Sequence, residues 1–253
     1  MSNENMHKNE IHMLSLNIER DNHLETVESL IHERKPGVLC LQEIQLPFAE
    51  YIAKKIGYEY RFSLRQYHPP KIAGAEKISE GIFMAWHPSL DLVDTQVHVY
   101  NNRKNHTYPG DENDARRSLL VATLKHGSEV FRFGVSHFTW TPDGSASDEQ
   151  REDMHRMLSS LEEYKDDHGI VFCGDFNAPR GGEIFSMMSS RYSDNLPPHI
   201  VTTLDQKLHR AAPLQHAVDS IFSTKEYRVL GVEVVGGVSD HMALIASVSR
   251  NVP

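Results

Sequence analysis

The amino-acid sequence predicts an α/β fold, and two observations carry that prediction. A strand–helix–strand pattern occurs twice, once over residues 11–41 and again over residues 130–173. Such units belong in a sheet whose faces are covered by helices, and by themselves they lean toward parallel strand pairing. Polar residues also recur where strand candidates stop, as expected where loops at strand ends converge on one side of a sheet.

In chain order, Ile11–Leu16 is the first strand candidate. Asn22 or Asp21 is placed to cap a helix running to Arg34, with Leu24, Val27, Leu30 and Ile31 as its apolar face. Pro36-Gly37 turns the chain into the strand Val38–Leu41, and a helix is expected over Pro47–Ile56. Leu64–Ser79 and Asn101–Asp114 carry Pro and Gly among polar residues and read as loops, with a strand at Gly81–Trp86 between them. Strands near Ser118–Leu124 and Val130–Ser136 are joined by a turn at Lys125–Ser128.

Ser147, with Gln150 three residues on, has capping-box spacing. The helix it opens carries the stripe Met154, Met157, Leu158, Leu161 and Tyr164 and leads to the strand Ile170–Cys173. Ala217–Phe222, Tyr227–Val234 and Met242–Val248 are later strand candidates, and Pro197–Pro213 reads as a long loop. Residues 1–10 read as a flexible tail and 11–250 as a single catalytic domain, with no low-complexity tract or linker to divide it.

Composition bounds the function. The chain of 253 residues has 26 basic and 35 acidic side chains, a formal charge of −9, which disfavours a protein that grips a long phosphate backbone through an overall basic footprint. The N-terminus has no apolar signal-like segment, and no apolar run reaches the length of a membrane span. Cys40 and Cys173 sit in apolar runs and read as buried thiols, which fits a cytoplasmic setting.

The strand-end residues are Asn17 and Glu19, Glu43, His137, Asp175 and Asn177, Asp219, and Asp240 with His241. Carboxylates of this kind, without a thiolate cluster, suit a hard cation such as Mg²⁺, with Mn²⁺ as a substitute. A carboxylate-paired histidine suits proton transfer, and asparagine binds phosphate without adding negative charge.

Asn17-Ile18-Glu19, Leu41-Gln42-Glu43, Gly174-Asp175-Phe176-Asn177 and Ser239-Asp240-His241, in that order, resemble the signatures of the endonuclease/exonuclease/phosphatase (DNase I-like) superfamily. The resemblance runs from about Ile11 to Val248. It implies a four-layered α/β sandwich in which two mostly antiparallel sheets pack face to face with helices outside, revising the parallel leaning of the pattern alone. It further implies a Mg²⁺-dependent phosphoester hydrolase working by in-line attack of water.

By matching position, Glu43, Asp240 and Glu19 would lie on the metal side, and Asn17 would contact phosphate or support Glu43. Asp175 would align or deprotonate the water, with His241 as the other candidate base, and Asn177 would bind phosphate. His137 and His241 would face the scissile phosphate, partnered by Glu80 and Asp219. The sequence departs from the family pattern at Ser136-His137-Phe138, where Thr-His-Leu is usual, and at His216-Ala217, where a basic residue is common.

Three functions compete. The first is a phosphodiesterase or nuclease acting on nucleic acid. The second is a phosphatase or phosphodiesterase acting on a small or lipid-linked phosphate. The third is a binding or scaffold protein that keeps the fold without catalysis. The expected partner is the phosphate-ester substrate, with no obligatory protein partner. Arg116-Arg117 is either a substrate contact or a solvated charge pair, Trp140 either a stacking platform or a core anchor, and Leu208-His209-Arg210 a segment that rims the site.

Overall fold

The computed structural model describes residues 10–68, 76–102, 116–211 and 213–251. Of the expected tail, residues 1–9 lie outside the described residues, while Glu10 already belongs to the first strand. Most of the loop expected over Asn101–Asp114 and the prolines of Leu64–Ser79 also lie outside them.

Twelve strands and four α-helices are described. They are β1 (Glu10–Asn17), α1 (Leu24–Arg34), β2 (Val38–Gln45), α2 (Leu46–Ile56), β3 (Glu59–His68), β4 (Ile78–Trp86), β5 (Asp91–Asn101), β6 (Arg117–His126) and β7 (Glu129–His137). Then come α3 (Asp148–Leu161), β8 (Val171–Asp175), α4 (Glu183–Ser189), β9 (Ser193–Asp194), β10 (Asp219–Ser223), β11 (Tyr227–Val235) and β12 (Ala243–Arg250).

The strands form two six-stranded sheets, ordered β11-β12-β1-β2-β4-β3 and β5-β6-β7-β8-β10-β9. Each sheet contains one parallel pair, β1 with β2 and β7 with β8, and the other pairings are antiparallel. Both strand–helix–strand units are therefore real, and the parallel leaning they suggested is confined to one pair per sheet.

The layers follow from alternation along the strands. On β1 and β2, Ile11, Met13, Val38 and Cys40 face the other sheet and join Phe131, Phe133, Val135 and Cys173 in the inter-sheet core. Their neighbours Leu14, Leu16, Leu39 and Leu41 point the other way, onto Val27, Ile31, Phe48 and Ile52 of α1 and α2. On the second sheet, Leu119, Val121 and Phe172 pack beneath Met154, Met157 and Leu158 of α3 and Ile184 and Phe185 of α4. Strands covered on both faces read as continuous apolar runs, and each fully buried Leu or Phe contributes about 1.5–3 kcal/mol. The result is the four-layered α/β sandwich.

Several local expectations are corrected. The α1 N-cap is His23, without a side-chain cap, rather than Asn22 or Asp21. Ser147 does cap α3, accepting from the Gln150 backbone N–H, but the Gln150 amide turns inward to the Thr139 carbonyl. Strand β3 continues through His68 and β4 begins at Ile78, so only the middle of Leu64–Ser79 lies outside strands. Asn101 ends β5 rather than opening a loop, and β3, β5, β9 and α4 were not expected.

Candidate active site

The two parallel pairs end side by side. Asn17 closes β1 opposite Gln42, and His137 closes β7 opposite Asp175. In each pair the next N–H along the first strand bonds the carbonyl of the second strand's last residue paired with it: Ile18 to Gln42 at 3.1 Å and Phe138 to Asp175 at 2.8 Å. These ends open on a cleft of about 420 Å³.

Local backbone devices aim the side chains. A bulge between Leu41 and Ile44 interrupts β2, and Glu43 within it takes a left-handed φ of 55°. Gly174 is required just before Asp175. Its φ is +143°, and a Cβ there would lie 1.9 Å from the Ser136 carbonyl oxygen. Asn177, at φ 49°, donates its backbone N–H to Asp175 Oδ1 (2.8 Å) and its side-chain amide to the Phe138 carbonyl (2.9 Å). The Ser136 hydroxyl meets Tyr100 Oη and the Ser118 carbonyl, so the polar function of a hydroxyl survives at that departure.

Asp175 is the hub. Its Oδ2 accepts from Asn17 Nδ2 at 3.1 Å and lies 3.6 Å from His137 Nε2 and 3.8 Å from His241 Nε2. Asn17 Nδ2 also reaches Glu43 Oε1 at 3.4 Å, and Asn17 Oδ1 accepts the Glu19 N–H at 3.1 Å. His241 Nδ1 meets Asp219 Oδ2 at 2.9 Å. The Thr203 hydroxyl donates to the same carboxylate oxygen at 2.6 Å while accepting the Val218 and Asp219 N–H groups.

The long loop is tied to the terminal motif. Met242 N–H bonds the Thr203 carbonyl, Asp205 N–H bonds the Asp240 carbonyl, and the Asp205 carboxylate gathers the N–H groups of Lys207, Leu208 and Gly237.

The electrostatics separate the ionisable groups. Burial pushes the Asp175 carboxyl up to about 7, with His241 opposing and Asp219 adding to the rise. Burial disfavours charge on His241, but Asp219 and Asp175 outweigh it and hold the imidazole well above its usual range. Burial, reinforced by Arg65 and Arg117, drives His137 the other way, well below that range. At neutral pH the site thus pairs a cationic His241 with a neutral His137 across a carboxyl poised near pH 7.

Glu80 does not fit its expected place. Its carboxylate is held by Arg65 Nη1 at 2.5 Å, Gln66 Nε2 at 3.1 Å and His68, while His137 Nδ1 is buried with no hydrogen-bond partner among the described residues. Burial opposes ionisation of Glu80, yet Arg65 and His68 hold it down to about 2. A guanidinium attracts the carboxylate more strongly than a neutral imidazole would, which explains the exchange of partners.

Glu19, Glu43 and Asp240 all line the cleft, and His23 Nε2 bonds the Glu19 carboxylate at 2.9 Å. Burial raises the Asp240 carboxyl, and Glu19 and Glu43 add to the rise against His241. Crowded oxygen donors of one sign are what a hard divalent cation neutralises, so the donor set fits Mg²⁺ or Mn²⁺. Among the described residues, the tight groupings of possible ligand atoms are His209, Asp240 and His241, and Asp175, Asp219 and His241. Glu19 and Glu43 stand outside both.

The sequence matches the model of the Endonuclease/Exonuclease/phosphatase family over residues 14–241. The chain belongs to that family. As an endonuclease/exonuclease/phosphatase family protein it is by class a hydrolase of phosphoesters. It is similar to the family's structure from Bacteroides vulgatus (TM-score 0.73, 16% identity, 96% of this chain and 99% of that one). It is also similar to the mannosyl-6-phosphatase of Bacteroides thetaiotaomicron VPI-5482 (0.75, 13%, 96% and 100%) and to the catalytic domain of human Nocturnin with bound sulfate (0.70, 17%, 96% and 95%). At these identities the likeness shows the fold. A search of curated proteins returned no match.

Sequence reasoning missed Thr203 and Asp205, whose work is done through loop backbone, and Arg65, which lies in a segment read as loop. Arg117, read as a substrate contact or a solvated charge pair, and His209 and Arg210, read as a rim of the site, all line the cleft. His209 stands edge-on to His241, with ring centres 6.0 Å apart. No helix among the described residues is long and apolar enough to cross a membrane, which says nothing of a β-barrel.

Proposed function

We propose that this family member is a divalent-cation-dependent hydrolase that cleaves a compact phosphoester by in-line attack of water. The observation that supports it most is Asp175, buried between the Asn17 amide and the imidazoles of His137 and His241, with its carboxyl at about 7. A general base is most effective when its pKa lies near the working pH.

Asp175 takes a proton from water as the water oxygen bonds to phosphorus and the bond to the leaving oxygen breaks. His241, kept cationic by Asp219, and the amides of Asn17 and Asn177 stabilise charge on the phosphoryl oxygens. His137 is neutral and contributes a dipole rather than a charge. Glu43, Asp240 and Glu19 would hold Mg²⁺ or Mn²⁺, which when bound supplies Lewis-acid polarisation of the phosphate.

The modest cleft and the overall charge of −9 favour a small or terminal ester over a long polyanion. The phosphatase named among the similar structures is consistent with that preference. A nuclease reading draws support from Trp140, 42% exposed on the cleft wall, where it would offer a base a stacking surface. Residues 11–250 then form one catalytic domain, which limited proteolysis would contradict by releasing a stable fragment. Free, buried Cys40 and Cys173 suit a cytoplasmic setting, and fractionation to a secreted pool would count against it.

The test is a screen of oligonucleotides, nucleotides, phosphoinositides and generic phosphoesters with Mg²⁺, Mn²⁺ or chelator. Asp175→Asn and His241→Ala are run beside the wild type. Turnover should depend on the cation and fall at least about 100-fold in both variants. Turnover retained in both variants refutes the site, and indifference to the cation refutes the metal.

A further inference from the structure

The chain has two tryptophans, and Trp86 is fully buried in the core between the sheets. Trp140 lines the cleft just past His137 and is 42% exposed, so it does not anchor the core. The backbone that carries it is nevertheless fixed. On one side, the Thr139 hydroxyl donates to the buried Asp153 carboxylate (2.6 Å) and the Thr139 carbonyl accepts from the Gln150 amide (2.6 Å). On the other side, Thr141 is buried. Further along, Gly144 closes against Pro179: a Cβ there would lie 2.9 Å from Pro179 Cγ and 3.9 Å from His216 Nε2. The same stretch is tied to the catalytic residues, because Phe138 bonds Asp175 through its N–H and Asn177 through its carbonyl. An indole held out from so rigid a backbone has few torsions left to lose, and little entropy opposes a contact with it.

The wall around the indole narrows what it can receive. Among the described residues, Trp140 is the one Trp, Tyr or Phe that lines the cleft. A nucleic-acid strand held by stacking needs a succession of such platforms along a basic groove. This cleft offers one platform, in a chain of charge −9. One platform takes one ring. A hydrocarbon chain laid over it would strip water from Asp143 and His216, which line the same cleft, without replacing their hydrogen bonds. A nucleobase carries donors and acceptors around a flat apolar face, so it covers the indole and still meets polar neighbours.

We propose that Trp140 is a specificity-determining residue that receives one nucleobase, so that the ester hydrolysed belongs to a single nucleoside unit. The inference rests on the phosphoester-hydrolase reading and names its substrate class. That unit is either a free nucleotide or the terminal nucleotide of a strand, since both bring one base to the wall beside the phosphate. Stacking accepts any base, so the discrimination is against esters that lack a base rather than among bases.

Two matched pairs of substrates differ at the base and separate these sources. One is adenosine 5′-monophosphate against ribose 5-phosphate; the other is a short oligoadenylate against the same oligomer made abasic at both ends. With Mg²⁺ or Mn²⁺, the wild type should favour the base-bearing member of at least one pair by about fivefold or more in kcat/KM. A preference in the first pair assigns a free nucleotide, and one in the second a strand end. Trp140→Ala should bring that ratio toward one, and Trp140→Phe should keep part of it. A ratio is insensitive to how much of a variant folds, and the wild-type comparison requires no variant. Ratios near one in both pairs overturn the proposal, as does failure to turn over either base-bearing substrate. A Trp140→Ala that slows both members of a pair by one factor overturns it too. Wild type and Asp175→Asn are run in parallel on bis(p-nitrophenyl) phosphate and p-nitrophenyl phosphate. If Asp175→Asn leaves turnover intact, the reading of the site fails. If it abolishes turnover while the wild type shows no preference for a base, only the nucleobase assignment falls.

Discussion

Asp219→Asn removes a charge from the site while leaving its hydrogen bonds in place. The Thr203 hydroxyl accepts two backbone N–H groups, so its own proton must go to the residue 219 side chain, at the oxygen that also meets His241 Nδ1. An asparagine must therefore place its carbonyl oxygen there, where it accepts from both. At 2.9 Å and an effective dielectric of roughly 20, a full charge pair is worth on the order of 6 kcal/mol. Spreading each charge over a carboxylate and an imidazole ring brings this to about 3 kcal/mol, or roughly 2 pKa units. In the wild type the raised His241 contributes stability that is full below its unfolded pKa of about 6.5 and is lost as pH rises through the folded value. In Asp219→Asn that contribution shrinks and His241 titrates about 2 units lower. The assay is an imidazole NMR titration, read beside kcat against pH, with activity near neutrality expected to fall about 100-fold. A His241 midpoint unmoved by the substitution would refute the argument that Asp219 holds its charge.

Three further outcomes are expected. Glu80→Gln should cost roughly 3 kcal/mol by urea unfolding at pH 7, because it leaves the Arg65 charge buried without its carboxylate. Glu80 is depressed to about 2, so its contribution is present above the unfolded value near 4.5 and disappears as pH falls toward 2; an acid limb of the same steepness in the variant would count against this pairing. Gly174→Ala should lose about 4 kcal/mol or more, seen as failure to fold or a large drop in Tm, and a near-normal Tm would show that β7 and β8 are not so closely packed. Glu43→Gln should weaken Mg²⁺ or Mn²⁺ binding at least about tenfold by calorimetry, and unchanged affinity would take Glu43 out of the donor set.

What the sequence made legible was what depends on local pattern. The strand–helix–strand units show because β1, β2, β7 and β8 are covered on both faces, and that covering demands continuous apolar runs. The motif residues show because they sit where those runs stop. Strand β5 was invisible for the opposite reason. It lies at a sheet edge, bulges between Leu92 and Asp94 and again between Val99 and Asn101, and its alternation is broken each time. Helix α4 has seven residues and no side-chain cap. The partner of Glu80 could not be read from motif position, because it depends on a bulge in β3 between Leu64 and Gln66. Arg117 was visible as a residue but not as a buried one, which only the packing reveals.

The two sheets share one plan. Reading each strand order from its first member, β1 and β2 occupy the places that β7 and β8 occupy in the other sheet, and each parallel pair ends with the same backbone hydrogen bond. Asn17 thus stands where His137 stands, and Gln42 where Asp175 stands. The chain places different chemistry on equivalent ends. The first sheet supplies Asn17 and, one residue past Gln42, Glu43. The second supplies His137, Asp175 and Asn177. Left-handed backbone appears on both sides, at Glu43 and Asn177, and such a conformation costs about 1 kcal/mol or more for residues other than glycine. Packing that drives the sheets together through the shared core therefore also brings the two sets of strand ends together. A cation-binding edge and a water-activating edge meet at the seam because the core between the sheets closes, and no single loop has to build the site alone.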